Sequence, residues 1–258
     1  RPLAFLGGSE PAAVGPSLAG KTVVVTAGGT REPIDPVRFL GNKSSGRQGL
    51  AIAAAAARAG ARVRVIAANI DDSVMALLPS SVEVTRVGSA QQMREATLAQ
   101  VGGADALVMT AAVADFRPEA TQASKMKKDP TTSDAPTLRL VRNPDILSEI
   151  GHGPHRPPLV VGFAAETGTD EEILAYGADK AARKGADYIA LNRVGAGVGF
   201  GDVPNDIRLL DAAGHIVGRY TGSKDEVAAG LIGQVAAFLA NLERWVHRFS
   251  LPSPSLKV

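Results

Sequence analysis

The sequence predicts an α/β fold with a doubly wound, mostly parallel sheet, and three observations carry that expectation. Short β-branched or apolar runs alternate with longer stretches of helical period; the first run is Val-rich, as a buried strand should be; and a glycine turn separates it from the first helix. Taken in order, residues 1–20 hold Gly7, Gly8, Pro11, Gly15 and Pro16 and lack the charged-then-apolar order of a signal peptide. They read as a linker or tail, with the chain expected to be one half of a longer polypeptide. The first strand covers 23–27, and residues 46–59 form an Ala-rich helix that Ser44 and Ser45 are expected to cap. Strands at 63–67, 82–87 and 106–110 follow, with a helix at 89–101. Runs at 137–141, 159–164 and 187–191 should extend the same sheet, interleaved with helices starting near Asn143 and Asp170. A C-terminal hairpin, 207–210 and 215–218 around the turn 211–214, precedes an amphipathic helix capped by Ser223 and running to about Phe249. The expected picture is one Rossmann-like domain over 21–249, with 250–258 as a disordered tail.

One stretch breaks the alternation. Residues 118–136 are rich in Ser, Thr, Pro, Asp and Lys and show no apolar period. Connections in compact domains have a median of about 4 to 6 residues, so a loop this long is read as an active-site flap rather than a plain linker.

Composition narrows the function. A net charge of +2 and an aromatic content of 4% give neither the basic surface nor the stacking platforms of a nucleic-acid binder. No apolar run approaches the roughly 18 to 20 residues that span a bilayer, so no membrane partner is expected. The absence of cysteine excludes disulfides, thiolate metal sites and a cysteine nucleophile, and fits a reducing, cytoplasmic setting. His152, His155, His215 and His247 lack metal-ligand spacing and are assigned no chemistry.

The chemistry concentrates where TAGGTREPIDP at 26–36 is followed by NKSSGRQG at 42–49. Glycines admit positive φ and close approach of main-chain N–H groups, and the helix that follows adds unpaired N–H groups and a partial positive charge. Phosphate is the natural guest. A dinucleotide fingerprint is disfavoured: the third glycine is missing, the helix begins some residues too late, and the second strand ends in Ala67, Ala68 and Asn69 with no carboxylate for a ribose. A Walker A loop is also absent, since no Gly-Lys-Ser/Thr closes a glycine run.

The set AGGTREPIDPVR, GNKSSGRQG, TAAVADF, KMKK, RNPDIL and VGFAAET resembles the phosphopantothenate-cysteine ligase family in its bacterial CTP-using form, over most of 21–224. The resemblance implies an acid-amino-acid ligase of coenzyme A biosynthesis. In that reaction the carboxylate of 4′-phosphopantothenate attacks CTP to give an acyl-cytidylate and pyrophosphate, and L-cysteine then displaces CMP. It further implies Mg²⁺, a homodimer with shared active sites, and a fused or associated flavin-dependent decarboxylase. Runner-up readings are an ATP-using ligase of the same family, a noncatalytic nucleotide-binding module and an NAD-linked reductase.

Residue by residue, the resemblance makes Lys125 the flap lysine that acts on the nucleotide phosphates; by composition alone it is a solvated charge. Lys127 and Lys128 assist by sign and position only. Asn42 is implied to bind phosphopantothenate and support conversion of the acyl-cytidylate, where spacing alone gives a turn asparagine. Arg38 is implied to reach the neighbouring subunit's phosphopantothenate; otherwise it is a surface arginine. Gly28, Ser44, Gly46 and Gly49 would cradle phosphates, or simply cap the helix. Ala111, Ala112 and Asp115 end the fourth strand, where open parallel sheets place ligands; Asp115 accepts from a hydroxyl, binds metal, or caps a turn. For CTP the resemblance implies Asn143, Pro144, Asp145, Ile146 and Leu147, with Phe163 against the base, Lys180 and Lys184 one turn apart, and Asn192. No dedicated metal ligand is assigned; Asp115 and Asp145 are the nearest candidates.

Overall fold

The computed structural model describes residues 17–127, 131, 135–166, 169–193 and 205–249. Six parallel strands form the body of one sheet: β1 (Thr22–Gly28), β4 (Arg62–Ala68), β5 (Glu83–Val87), β6 (Ala106–Met109), β9 (Leu159–Glu166) and β10 (Tyr188–Arg193). An antiparallel pair, β11 (Asn205–Asp211) and β12 (Ile216–Gly222), completes the edge, giving the order β12-β11-β10-β9-β6-β1-β4-β5. Strand order reverses between β1 and β6, so the chain leaves a crevice between their C-terminal ends.

Side-chain alternation sorts each strand between two cores. Val23, Val25, Ala106 and Val108 face the layer of α1 (Arg47–Arg58) and α6 (Lys224–Phe249). Val24, Leu107 and Met109 face the opposite layer of α3 (Ala90–Val101), α4 (Ile146–Gly151) and α5 (Asp170–Lys184). Burial on both faces is why these strands read as continuous apolar runs. A short helix, α2 (Asp72–Met75), links β4 to β5. Leu18 is fully buried, and its N–H donates to the Ala59 carbonyl at 2.8 Å, so the described fold takes in residues just before β1. The segments 1–16 and 250–258 lie outside the described residues.

Two sequence expectations are corrected. The run at 137–141 does not extend the sheet: β8 (Leu140–Arg142) pairs with β7 (Phe116–Pro118) in a separate antiparallel ribbon. Local apolar content made it strand-like but carried no information about its partner. The serines do not cap α1 either. Its N-cap is Gly46 at φ 76°, with no side-chain cap, and Ser44 Oγ instead accepts from the Gly46 N–H at 3.4 Å. Ser223 does cap α6, its hydroxyl accepting from the Glu226 N–H at 3.2 Å while the Glu226 carboxylate accepts from the Ser223 N–H at 2.8 Å.

A second small hairpin, β2 (Arg31–Pro33) with β3 (Phe39–Gly41), fills the interval between glycine turn and helix. Strands of three residues built from REP and FLG carry no periodicity to read. The β7–β8 ribbon roots the long loop, and the Glu119 N–H donates to the Arg139 carbonyl at 2.9 Å just beyond it.

Candidate functional site

Above the strand tips at the order reversal lie two cavities of about 470 and 680 Å³ that share Ala111, Val113, Asp115, Phe163 and Lys180. They form one cleft that straddles the sheet edge. The smaller cavity lies on the α4/α5 side and is walled by Met109, Ile146 and Leu147 of that core. The larger lies toward α1 and α6 and includes Gly28, Asn42, Ser44, Gly46 and Gly49.

The glycine wall is shaped by close packing. Gly28 turns at φ 87°, and a Cβ there would stand 2.0 Å from the Ala68 carbonyl oxygen. At Gly49 a Cβ would meet Thr110 Oγ1 at 2.4 Å and Ala27 Cβ at 2.6 Å, so this glycine lets α1 lie against β1. The first turn of α1, without a side-chain cap, therefore opens directly at the cavity and presents N–H groups that no helical carbonyl takes up. Ala112 continues the line of β6: it bridges Gly29, its N–H donates to the Gly28 carbonyl at 2.8 Å, and its carbonyl accepts from Thr30 at 3.2 Å. Asn42 spans the gap from β3, donating through Nδ2 to the Val113 carbonyl at 3.2 Å.

The smaller cavity is set by the start of α4. Asp145 caps it, accepting from the Ser148 N–H at 3.1 Å, and its other oxygen is paired with Lys184. Burial raises the Asp145 pKa, but Lys184 and the Ser148 N–H outweigh burial and hold it below the usual carboxylate range. One turn before Lys184, Lys180 lies 3.8 Å from Glu166 and is pushed below an ordinary lysine, chiefly by burial. Both lysines line this cavity with Phe163, Pro144 and Asn143; Asn143 donates to the Ala114 carbonyl at 2.8 Å and accepts from Arg117 at 3.1 Å. A flat apolar wall flanked by two cations suits a nucleotide base and its phosphates.

Arg38 and Lys125 line neither cavity. The Arg38 guanidinium grips Asp35, whose side chain is fully buried, and donates to the Met126 carbonyl at 3.1 Å; the Met126 N–H returns to Asp35 at 3.2 Å. Arg38 holds the Asp35 carboxyl far below the usual range, helped by the N–H groups of Val37, Arg38 and Met126. The arm carrying Lys125 is thereby docked on the hairpin, with Lys125 and Lys127 exposed. Lys128 lies outside the described residues.

Asp35 was missed in sequence reasoning, as were Gln48, Asn205 and Lys224, which line the larger cavity. Gln48 sits within the GNKSSGRQG motif and Lys224 follows a helix cap, but Asn205 carries no local signal. Asn192 also reaches the larger cavity rather than the base-sized one.

Among the described residues no group of three or more His, Asp or Glu side chains is placed to hold a metal. Asp145 is committed to Lys184 and to its helix, whereas Asp115 is exposed where the two cavities meet. One exposed carboxylate at the junction of the cavities fits Mg²⁺ of the kind carried mainly by a ligand's phosphate oxygens and water.

Comparison with known proteins places this cleft in a family. Residues 18–239 match the family described as DNA/pantothenate metabolism flavoprotein C-terminal domain. Coenzyme A biosynthesis bifunctional protein CoaBC of Mycobacterium tuberculosis is 44% identical over 230 residues, 86% of this chain and 54% of that protein. The Bacillus subtilis CoaBC is 42% identical over 222 residues, 85% and 52% of the two chains. The chain thus spans about half the length of these relatives. The crystal structure of the C-terminal domain of CoaBC matches at a TM-score of 0.69 and 31% identity, covering 88% of this chain and 99% of that one. A Cab2 mutant in complex with phosphopantothenate-cysteine shares the fold, at a TM-score of 0.64 and 15% identity over 90% and 89% of the chains. With most of its length matched by both the family and a half of CoaBC, this chain belongs to the DNA/pantothenate metabolism flavoprotein C-terminal domain family.

Proposed function

We propose that this chain is a phosphopantothenate-cysteine ligase that uses CTP, with Mg²⁺, to join 4′-phosphopantothenate to L-cysteine. The observation that carries the reading is the continuous cleft: a base-sized cavity bearing Phe163, Lys180 and Lys184 opens, past Asp115, into a larger one rimmed by the glycine turn and the α1 N-terminus. The coenzyme A role of the CoaBC relatives and the phosphopantothenate-cysteine bound by Cab2 agree with it.

In the first step a substrate carboxylate oxygen attacks the α-phosphorus of CTP; the bond to the β-phosphate breaks and pyrophosphate leaves. In the second the cysteine nitrogen bonds to the acyl carbon, the acyl C–O bond to phosphate breaks, CMP leaves, and the nitrogen gives up two protons from its ammonium form. No protein nucleophile is needed; positioning and charge stabilisation carry the rate. Main-chain N–H groups of α1 and the glycine turn would hold phosphate, with Ser44 beside them. Pro144, Asp145, Ile146 and Leu147 would frame the nucleotide, and Asn42 would donate to the acyl oxygen as it becomes anionic. A bound Mg²⁺ at Asp115 would neutralise phosphate charge. Lys125 would act on the same phosphates once its arm leaves the Asp35 dock and closes over the cleft.

The chain would function as a homodimer in the cytoplasm, fused to or associated with a flavin-dependent decarboxylase, as the bifunctional name of its relatives suggests. Exposed Val37, Phe39, Leu40, Phe116, Leu138 and Leu140 gather on the hairpin and the adjoining ribbon, an apolar surface of the kind that meets a second copy. Incubation with CTP, 4′-phosphopantothenate and cysteine, with product mass read directly and ATP run in parallel, tests the reading; absence of 4′-phosphopantothenoylcysteine rejects it.

A further inference from the structure

Asn192 presents an unmet need. Its strand neighbours Tyr188 and Ala190 face the α1/α6 core, and alternation puts Asn192 on that face, in the larger cavity. Its Oδ1 is buried and, among the described residues, accepts no hydrogen bond. A buried acceptor without a donor is costly, and a triphosphate or a carboxylate, offering only acceptors, cannot relieve it. An amine can.

Beside it stands a braced cation. Asn192 is opposite Ile207 in the antiparallel register, which puts Asn205, two residues along β11, on the same face. Asn205 is 3% exposed; its Nδ2 donates to Gln48 Oε1 at 2.6 Å, and its Oδ1 accepts from Lys224 Nζ at 3.4 Å. Gln48 Nε2 in turn donates to the Lys224 carbonyl at 3.4 Å. An acceptor and a positive charge sharing one cavity match the two groups of an amino acid.

We infer that Gln48, Asn192, Asn205 and Lys224 form the subsite that recognises the amino-acid substrate, Asn192 Oδ1 taking the α-amino group and Lys224 the α-carboxylate. The inference rests on the ligase reading and adds to it where the second substrate sits. Lys224 selects for the carboxylate and Asn192 for the amine, so two variants should fail differently.

The experiment compares L-cysteine with cysteamine, which lacks the carboxylate, as acceptors with CTP and 4′-phosphopantothenate. Lys224→Gln should lower kcat/KM for L-cysteine about tenfold or more relative to its effect on cysteamine, whereas Asn192→Leu should lower both alike through KM for the amine. Gln48→Glu, which sets a carboxylate beside the subsite, should likewise penalise L-cysteine selectively and serves if Lys224→Gln does not fold. An unchanged cysteine-to-cysteamine ratio in these two charge variants, or an Asn192→Leu defect in KM for CTP instead of the amine, overturns the inference alone. Pyrophosphate release by the unaltered chain without any amine tests the ligase reading separately; its absence overturns both.

Discussion

Lys125 and Asn42 divide the proposed reaction by step. Lys125→Gln removes the charge proposed to meet the phosphates, so pyrophosphate release from CTP and 4′-phosphopantothenate should fall by roughly 10² or more; normal release rejects the role. Asn42→Asp replaces a donor with an anion at the acyl oxygen, so the acyl-cytidylate should form and persist, detectable by mass after quenching. Failure to trap it counts against the assignment. How much of this was legible depends on the reach of each residue's interactions. Lys180 and Lys184, one turn apart, reveal a shared face in any helix, and both reach the same cavity. Asn205 depends on Gln48, 157 positions away, and no local pattern encodes such a pair. Asp35 is similar: TREPIDP carries no periodicity to read, while its buried carboxylate is held by Arg38 and by Met126, 91 positions on.

At the scale of elements, the hairpin and the arm behave as one latch. Asp35 has its folded pKa depressed, first by the Arg38 hydrogen bonds, so its contribution is present above the unfolded value of about 3.9 and is lost as pH falls toward the folded value. Asp35→Asn should therefore release the arm at neutral pH and speed tryptic cleavage at Lys125 and Lys127. Cleavage at the wild-type rate, measured near neutral pH, removes the latch. Gly49→Ala tests a different joint. Its Cβ would press Thr110 and Ala27, and a loss of roughly 1–3 kcal/mol is expected in denaturant titration. The central strands β1, β6 and β9 were readable because burial on both faces makes them almost wholly apolar. The β2–β3 hairpin was not, since three-residue strands show no period, and β8 was read as a strand but given the wrong partner because pairing is a tertiary choice.

For the whole molecule, the proposed dimer makes the clearest claim, because it asks one residue to work outside its own subunit. Within its subunit Arg38 is spent on Asp35 and Met126 and lines neither cavity, which is hard to reconcile with phosphate binding in cis. The exposed side chains of Val37 and Phe39 flank it in sequence, on the apolar surface proposed to meet the partner. Phe39→Glu should therefore yield monomers in sedimentation velocity and lose turnover with them, since an apolar contact surface does not accept an unpaired charge. A complementation assay separates shared sites from mere pairing. Arg38→Ala and Asn42→Asp chains are each expected to be inactive alone. Co-expressed, half of the dimers are mixed, and each mixed dimer holds one site with an intact Asn42 from one chain and an intact Arg38 from the other. Activity should return to about a quarter of wild type. If Arg38 serves its own subunit, every mixed site carries one defect and nothing returns, so recovery of activity depends directly on whether the arginine crosses the interface.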